Sequence, residues 1–233
     1  MRRIAAALLI SAIGGAASAA SIQVQTFSAA AYDAFVDSTN VIATEDFEGI
    51  TSDSFVEDDG SGFATSVGTF DTIAGHTGTG SSVLGDGDGI TVRDSNGFGR
   101  VNTTAGGSYW LDSNDTQGIA FNASAGGSLF DRIAFSLSDA ADQGGTLGIF
   151  VGGTSMTVSL IDLMNQSNGT VQFVVISFAD LISSAAIEIR NHAGVNDGFG
   201  IDDVVIAAVP LPAGGLLLIG ALGLLAGARR RKA

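Results

Sequence analysis

A chain of 233 residues has room for one domain or two small ones. It has no cysteine, which removes disulfides, thiolate zinc sites, iron–sulfur clusters and cysteine nucleophiles, and only two histidines, His76 and His192, which argues against a multi-histidine metal site. The formal net charge is −14, and the stretch from Asp33 to Asp203 holds all 24 acidic residues against Arg93, Arg100, Arg132 and Arg190, so its surface repels nucleic acid, whose recognition needs clustered Lys and Arg.

The first twenty residues read as an address. Met1-Arg2-Arg3 precedes an apolar run from Ile4 to Ile13, and small residues end in Ala17-Ser18-Ala19. A basic start, a short apolar stretch and an A-x-A site predict a Sec-type signal peptide over 1–20, cleaved after Ala19 or Ala20. A membrane-anchoring helix is the competing reading, and the run is short for it, since a span needs about 20 apolar residues.

A helical lead-in is expected over 21–40, where Phe27, Ala31, Ala34 and Phe35 recur at helical spacing and Ser28 can cap the start. From 41 to 208, Gly- and Asp-rich turns separate short apolar or alternating runs. Predicted strands are Val41–Glu48, Phe63–Phe70, Ile90–Arg93, Ser108–Leu111, Gly118–Asn122, Arg132–Ser138, Thr146–Val151, Thr154–Leu160, Val171–Ser177, Ala185–Arg190 and Gly200–Ala207. Gly152-Gly153 between two of these runs predicts a two-residue hairpin loop. Only Glu45, Glu48, Glu57 and Glu188 are glutamate, and an aspartate-rich acid set suits turns. Many short strands with no alternating helices predict an all-β antiparallel sandwich, jelly-roll-like, in a single body. Its expected core is Phe47, Phe55, Phe63, Phe70, Trp110, Phe121, Phe130, Phe135, Phe150, Phe173, Val175, Ile187, Ile189, Ile201 and Val205.

Two acidic segments flank this body, Glu45-Asp46-Phe47-Glu48 early and Asp202-Asp203 late. Period-two alternation would set Asp203 beside Ile201 and Val205, and Glu45 beside Phe47, on a core-facing row, where a carboxylate must be paired, protonated or metal-bound. The "F-E" early and "I-D-D-V" late pairing resembles jelly-roll families such as MAM-like and carbohydrate-binding-module-like domains. The resemblance implies a structural Ca²⁺ held by Glu48 and by Asp202 or Asp203, with Glu45 or Asp46 as further ligands; turn caps and solvated acids are the plainer alternative. Gly85-Asp86-Gly87-Asp88-Gly89 reads as a Gly-Asp turn, because Gly97 stands where an EF-hand would need Glu.

Tyr109 and Trp110 sit beside Asn and Asp, and either they fill and rim the core or one of them offers a ring for a sugar to stack on. No G-x-S-x-G, H-E-x-x-H, C-x-x-C or P-loop pattern occurs, and both histidines lie in loop-like sequence, so no enzyme is expected.

The last segment is the most specific. Val209-Pro210-Leu211-Pro212-Ala213 and two glycines precede an apolar stretch ending at Ala228, and Arg229-Arg230-Arg231-Lys232 follow. From Ala213 the stretch would span about 24 Å as a helix, marginal for a hydrocarbon core of about 30 Å. The basic tail should stay cytoplasmic, which puts the body outside. Pro210 and Pro212, the only prolines of the chain, keep the approach extended. Motif, transmembrane helix and basic cluster over 209–233 resemble the VPLPA-CTERM sorting signal of the PEP-CTERM class. The resemblance implies a Gram-negative exported protein, held transiently at the inner membrane, cut by an exosortase-type enzyme, and passed to the cell surface or extracellular matrix in exopolysaccharide or biofilm settings. A plain single-pass anchor is the simpler reading of the same residues. The expected function is thus an exported, non-enzymatic surface or matrix protein; the alternatives are a carbohydrate-binding module for exopolysaccharide and, behind it, a glycan hydrolase or lyase.

Overall fold

β-branched and aromatic residues alternating between glycine and aspartate turns leave the chain little to build except short strands. The computed structural model describes residues 20–50, 55–56, 62–76, 89–114, 116–140, 144–163, 167, 169–191 and 198–210. The signal segment with Ala17 and Ala19, the Asp86–Asp88 loop residues, His192, and Leu211 to Ala233 lie outside them.

In chain order the elements are β1 (Ser21–Thr26), α1 (Ala29–Ser38), β2 (Asn40–Glu45), β3 (Phe55–Val56), β4 (Phe63–Thr65), β5 (Gly68–His76), β6 (Ile90–Arg93), β7 (Trp110–Asp112), β8 (Thr116–Ala123), β9 (Phe130–Ser138), β10 (Thr146–Val151), β11 (Thr154–Ser159), α2 (Leu160–Leu163), β12 (Val171–Ile182), β13 (Ala185–Arg190) and β14 (Gly200–Ala208). Among the described residues they form two antiparallel sheets. One runs β1-β12-β9-β14-β7-β6-β3, with β2 also paired to β14; the other runs β11-β10-β13-β8-β5-β4. The fold is an all-β sandwich. One face of each sheet supplies a shared apolar core, with Phe135, Val174, Ile176 and Ile201 from the first sheet and Phe70, Ile119, Phe121 and Ile187 from the second. Phe47 crosses between them: its ring meets Phe70 edge-on at 5.5 Å, and Phe70 stacks on Phe121 at 4.4 Å.

Several boundaries differ from the sequence expectation for local reasons. The lead-in is helical only in its second half. Ser28 caps α1 by accepting from the Ala31 amide at 3.1 Å, whereas Ile22 and Val24 alternate with Gln23 and Gln25 and form β1 against β12. The run Phe63–Phe70 is a hairpin rather than one strand, with Phe63 opposite Phe70 and Gly68 at φ 126° after the turn. His76 ends β5 opposite Thr116 and is not in a loop. β2 stops at Glu45 because Phe47 takes a left-handed φ of 57°. The Gly152-Gly153 hairpin forms as expected, both residues at positive φ between Val151 and Thr154.

Of the expected core, Phe150 points outward and is 38% exposed, because its neighbours Leu147 and Ile149 take the inward positions of β10. Val175 is half-buried on the side of β12 where α1 lies, and Phe63 is half-buried at the sheet edge. Phe173 is fully covered, by Phe27, Tyr32 and Phe35 of the lead-in.

Gly118 shows how closely the strands approach. At φ 145° in β8, any Cβ would run into the Ile189 carbonyl oxygen of β13. Gly118→Ala is expected to cost about 1–3 kcal/mol of stability in urea unfolding, through strain rather than lost contacts.

Candidate functional site

The early and late acidic segments meet because β2 pairs antiparallel with β14, setting Glu45 opposite Val204. Alternation does not carry through β14. A bulge falls between Asp202 and Val205, and Asp203 sits at φ 50°. The expectation that Asp203 shares a row with Ile201 and Val205 fails for that reason: Asp202 stays paired with Ser136, the bulge takes Asp203 out of the β14–β9 register, and both carboxylates meet the loop that carries Thr103 and Thr104. Both carboxylates are nonetheless buried, at 1% and 6% exposure.

Two threonines receive them. The Thr103 amide donates to Asp202 Oδ2 at 2.7 Å and the Thr104 amide at 3.2 Å. The Thr103 and Thr104 hydroxyls donate to Asp203 Oδ2 and Oδ1, each at 2.8 Å. The Asp203 amide closes onto Asp202 Oδ1 at 2.8 Å. Glu48 turns the other way: its Oε1 accepts from the Ser108 and Tyr109 amides, both at 2.7 Å, and from the Asn102 carboxamide at 3.2 Å. Glu45 accepts from the Phe47 amide at 2.9 Å, and Asp46 from the Glu48 amide at 3.1 Å.

Burial, and then the neighbouring Asp203 charge, push the Asp202 carboxyl up to about 7 despite its amide donors. Burial also raises Asp203, where the Thr103 and Thr104 hydroxyls oppose it and the charges of Asp46 and Glu48 add to it. Glu45 is raised by burial as well. Tyr32 of α1 is pushed up to about 12 by burial first and then by Asp203, Asp46 and Asp202. Tyr32, Glu45, Asp46, Thr103, Thr104 and Asp203 line a cleft of about 260 Å³ beneath α1.

The three residues expected to hold calcium are therefore brought to one end of β14 but divided among three environments. Asp203 faces the cleft with Glu45 and Asp46, Asp202 is taken up by backbone amides, and Glu48 clasps the 107–109 turn. Among the described residues no three His, Asp or Glu side chains stand in a metal-holding group. The side chains gathered here offer only oxygen atoms, several of them carboxylate, and the nearest base in sequence, Arg190, pairs with Glu188 at 2.8 Å.

Compared with known proteins, the chain matches no protein-family profile. It matches no curated protein either. Among solved structures it is similar to the crystal structure of the K2 cleaved adhesin domain of Lys-gingipain, at 11% identity and a TM-score of 0.36, covering 66% of this chain and 97% of that one.

The other residues singled out in the sequence take plainer roles. Trp110 is 1% exposed and cannot meet a sugar, while Tyr109 is half-buried at the rim. β14 ends at Ala208. Val209 is exposed, its amide donating to Asp131 Oδ1 at 2.9 Å, and Pro210 is exposed too, so the proline motif begins where the sandwich ends. Leu211, Pro212, Ala213 and the Arg229–Lys232 cluster lie outside the described residues. Among the described residues no helix is long and apolar enough to cross a membrane.

Sequence reasoning missed Tyr32, Thr103 and Thr104. They come from a helix and a loop that only the fold brings to the acids, 99 and 100 residues away in the threonine–aspartate pairs. Two successive hydroxyl residues before Ala105-Gly106-Gly107 were the only local sign of them.

Proposed function

We propose that this chain is an exported, non-enzymatic protein of the cell surface or extracellular matrix, working where exopolysaccharide is laid down. The observation that carries the reading is the order of sequence features after the sandwich: a Val-Pro-Leu-Pro-Ala motif, two glycines, a short apolar run and a basic cluster. The strongly acidic, aspartate-rich body and the basic, apolar, small-residue sequence of 1–20 fit the same destination. On this reading the Sec machinery delivers the chain and the apolar run pauses it in the inner membrane with Arg229–Lys232 inside. An exosortase-type enzyme then cuts at the proline motif. The sandwich, jelly-roll-like in its β2–β14 closure, is the cargo. Replacing both Pro210 and Pro212 with alanine should leave full-length chain in the membrane fraction, whereas equal release of this variant and the natural chain would count against the sorting role.

The acidic site is proposed as a structural calcium site. Asp203, which shares the cleft with Glu45 and Asp46, is its main candidate, and Asp202 and Glu48, now held by backbone amides, would have to turn toward the ion to join it. The bound ion would neutralise carboxylates that the fold otherwise holds without a cation. Millimolar CaCl₂ should raise the melting temperature and EDTA should return it. Saturation at about 100 times Kd is worth about 2.7 kcal/mol, and a melting temperature indifferent to both additions removes the site.

A further inference from the structure

The second sheet carries a cavity that none of the above uses. It has a volume of about 450 Å³ and opens on the outer face of the sheet, beside the Gly152-Gly153 hairpin. Strand register assembles it. Thr69 of β5, Asn122 of β8, Ala186 of β13 and Phe150 of β10 are successive cross-strand partners in one row. Three features set this row apart. Ala186 gives the row a low apolar floor, while the Ala123 and Ala185 side chains beside it turn into the core and bring only backbone to the cavity. Phe150, displaced outward by the inward turn of its neighbours, lies over Gly148, where a methyl group would come within 3.0 Å of ring atom Cε2. The Asn122 carboxamide and the Thr69, Ser124 and Ser184 hydroxyls, none of them buried, make no side-chain hydrogen bond to another described residue, so a ligand can take them from water.

The lining contains no charged side chain, although the chain as a whole carries −14. The neighbouring row, Asp71 opposite Ala120 opposite Glu188, sets the Asp71 carboxylate and the Glu188–Arg190 ion pair on the same outer face, a net negative border that disfavours anions. A fatty chain would meet hydroxyls and an amide it cannot use. An uncharged ring with an apolar face and a rim of hydroxyls matches all three features: its C–H face lies on Phe150 and Ala186, and its hydroxyls reach Asn122, Ser124, Ser184 and Thr69.

We propose that this cavity binds a neutral sugar unit of a polysaccharide. The assignment goes beyond the surface-protein reading and does not rest on it, since tail processing and sugar binding are measured separately. The test uses the full chain in native gels cast with dextran, with laminarin, or with alginate as the anionic comparison. At least one neutral glucan should retard the chain, and alginate should not. Phe150→Ala and Ala186→Leu should each weaken retardation about tenfold, the former by loss of a stacking surface worth about 1 kcal/mol or more and the latter by filling the floor. Asn122→Ala, at an exposed position, gives a third variant whose fold is not at risk. Thermal melts of all variants accompany the gels. No retardation by either glucan, retardation by alginate alone, or full binding retained in the folded variants would overturn the assignment.

Discussion

Replacing Asp112 with asparagine should lower the unfolding free energy by about 3–5 kcal/mol, the range seen when one partner of a buried ion pair is removed. Asp112 is completely buried in β7 and receives two guanidinium groups, Arg93 Nε at 3.2 Å and Arg100 Nη1 at 2.6 Å. Its Oδ1 also accepts from the Asn114 amide at 2.9 Å, which shapes the turn into β8. Arg93 and Arg100 are themselves 7% and 4% exposed, so the variant leaves two positive charges in a dry site without this carboxylate. An amide keeps the shape but removes the charge that made their burial tolerable. Urea unfolding monitored by Trp110 fluorescence reads the effect directly, because Trp110 lies opposite Arg93 in the β6–β7 ladder. Glu188→Gln serves as the comparison. Its pair with Arg190 is partly exposed and should change stability by less than about 1 kcal/mol. Equal effects of the two substitutions would mean that water enters the Asp112 network.

Stability without added calcium should fall as pH rises from about 4 to about 7. The sign follows from Asp202. Its folded-state value is raised from 3.8 to about 7, so within that window the folded chain holds a proton that the unfolded chain has released. The stabilisation is therefore complete below about 4 and is lost as pH rises through 7. Asp203 and Glu45 are raised as well and act in the same direction. Carboxylates elsewhere contribute their own slopes, so the clean measurement is the difference between the natural chain and Asp202→Asn. The two should be closely matched at pH 4. At pH 8 the asparagine variant should be the more stable by up to about 4 kcal/mol, the free-energy equivalent of the full shift. On the proposed calcium reading, the charged carboxylate gains a partner when the ion is added, and the variant should lose its advantage. A difference that stays flat with pH would show that the Asp202 carboxylate is solvated.

The sheet character of this fold was legible in the residues, because periodicity and turn chemistry are local properties. Ser28 as a cap, the Gly152-Gly153 hairpin and the burial of Phe70, Phe121, Phe130 and Phe135 all follow from neighbours within a few positions. Local reading failed where the chain departs from alternation. The bulge after Asp202 took Asp203 out of the β14–β9 register, and a tight turn at Ser66-Val67 split one apparent strand into β4 and β5. The meeting of Glu45 with the Asp202-Asp203 bulge could be anticipated, since first and last strands of such sandwiches are commonly neighbours, whereas the contribution of Thr103 and Thr104 depended on a loop path that no spacing rule encodes. Phe150 shows the same limit. Its hydrophobicity argued for the core, but two stronger claimants in the same strand, Leu147 and Ile149, fixed the register that sends it outward.

The central claim, that the two ends of the chain direct export and the sandwich is what is delivered, has one direct test: the intact mass of the protein recovered from the surface or medium of producing cells. The account predicts a chain that begins after Ala19 or Ala20 and has lost the apolar run and the Arg229–Lys232 cluster. Recovery of the protein only from the cytosol, with a mass matching Met1 through Ala233, would contradict it.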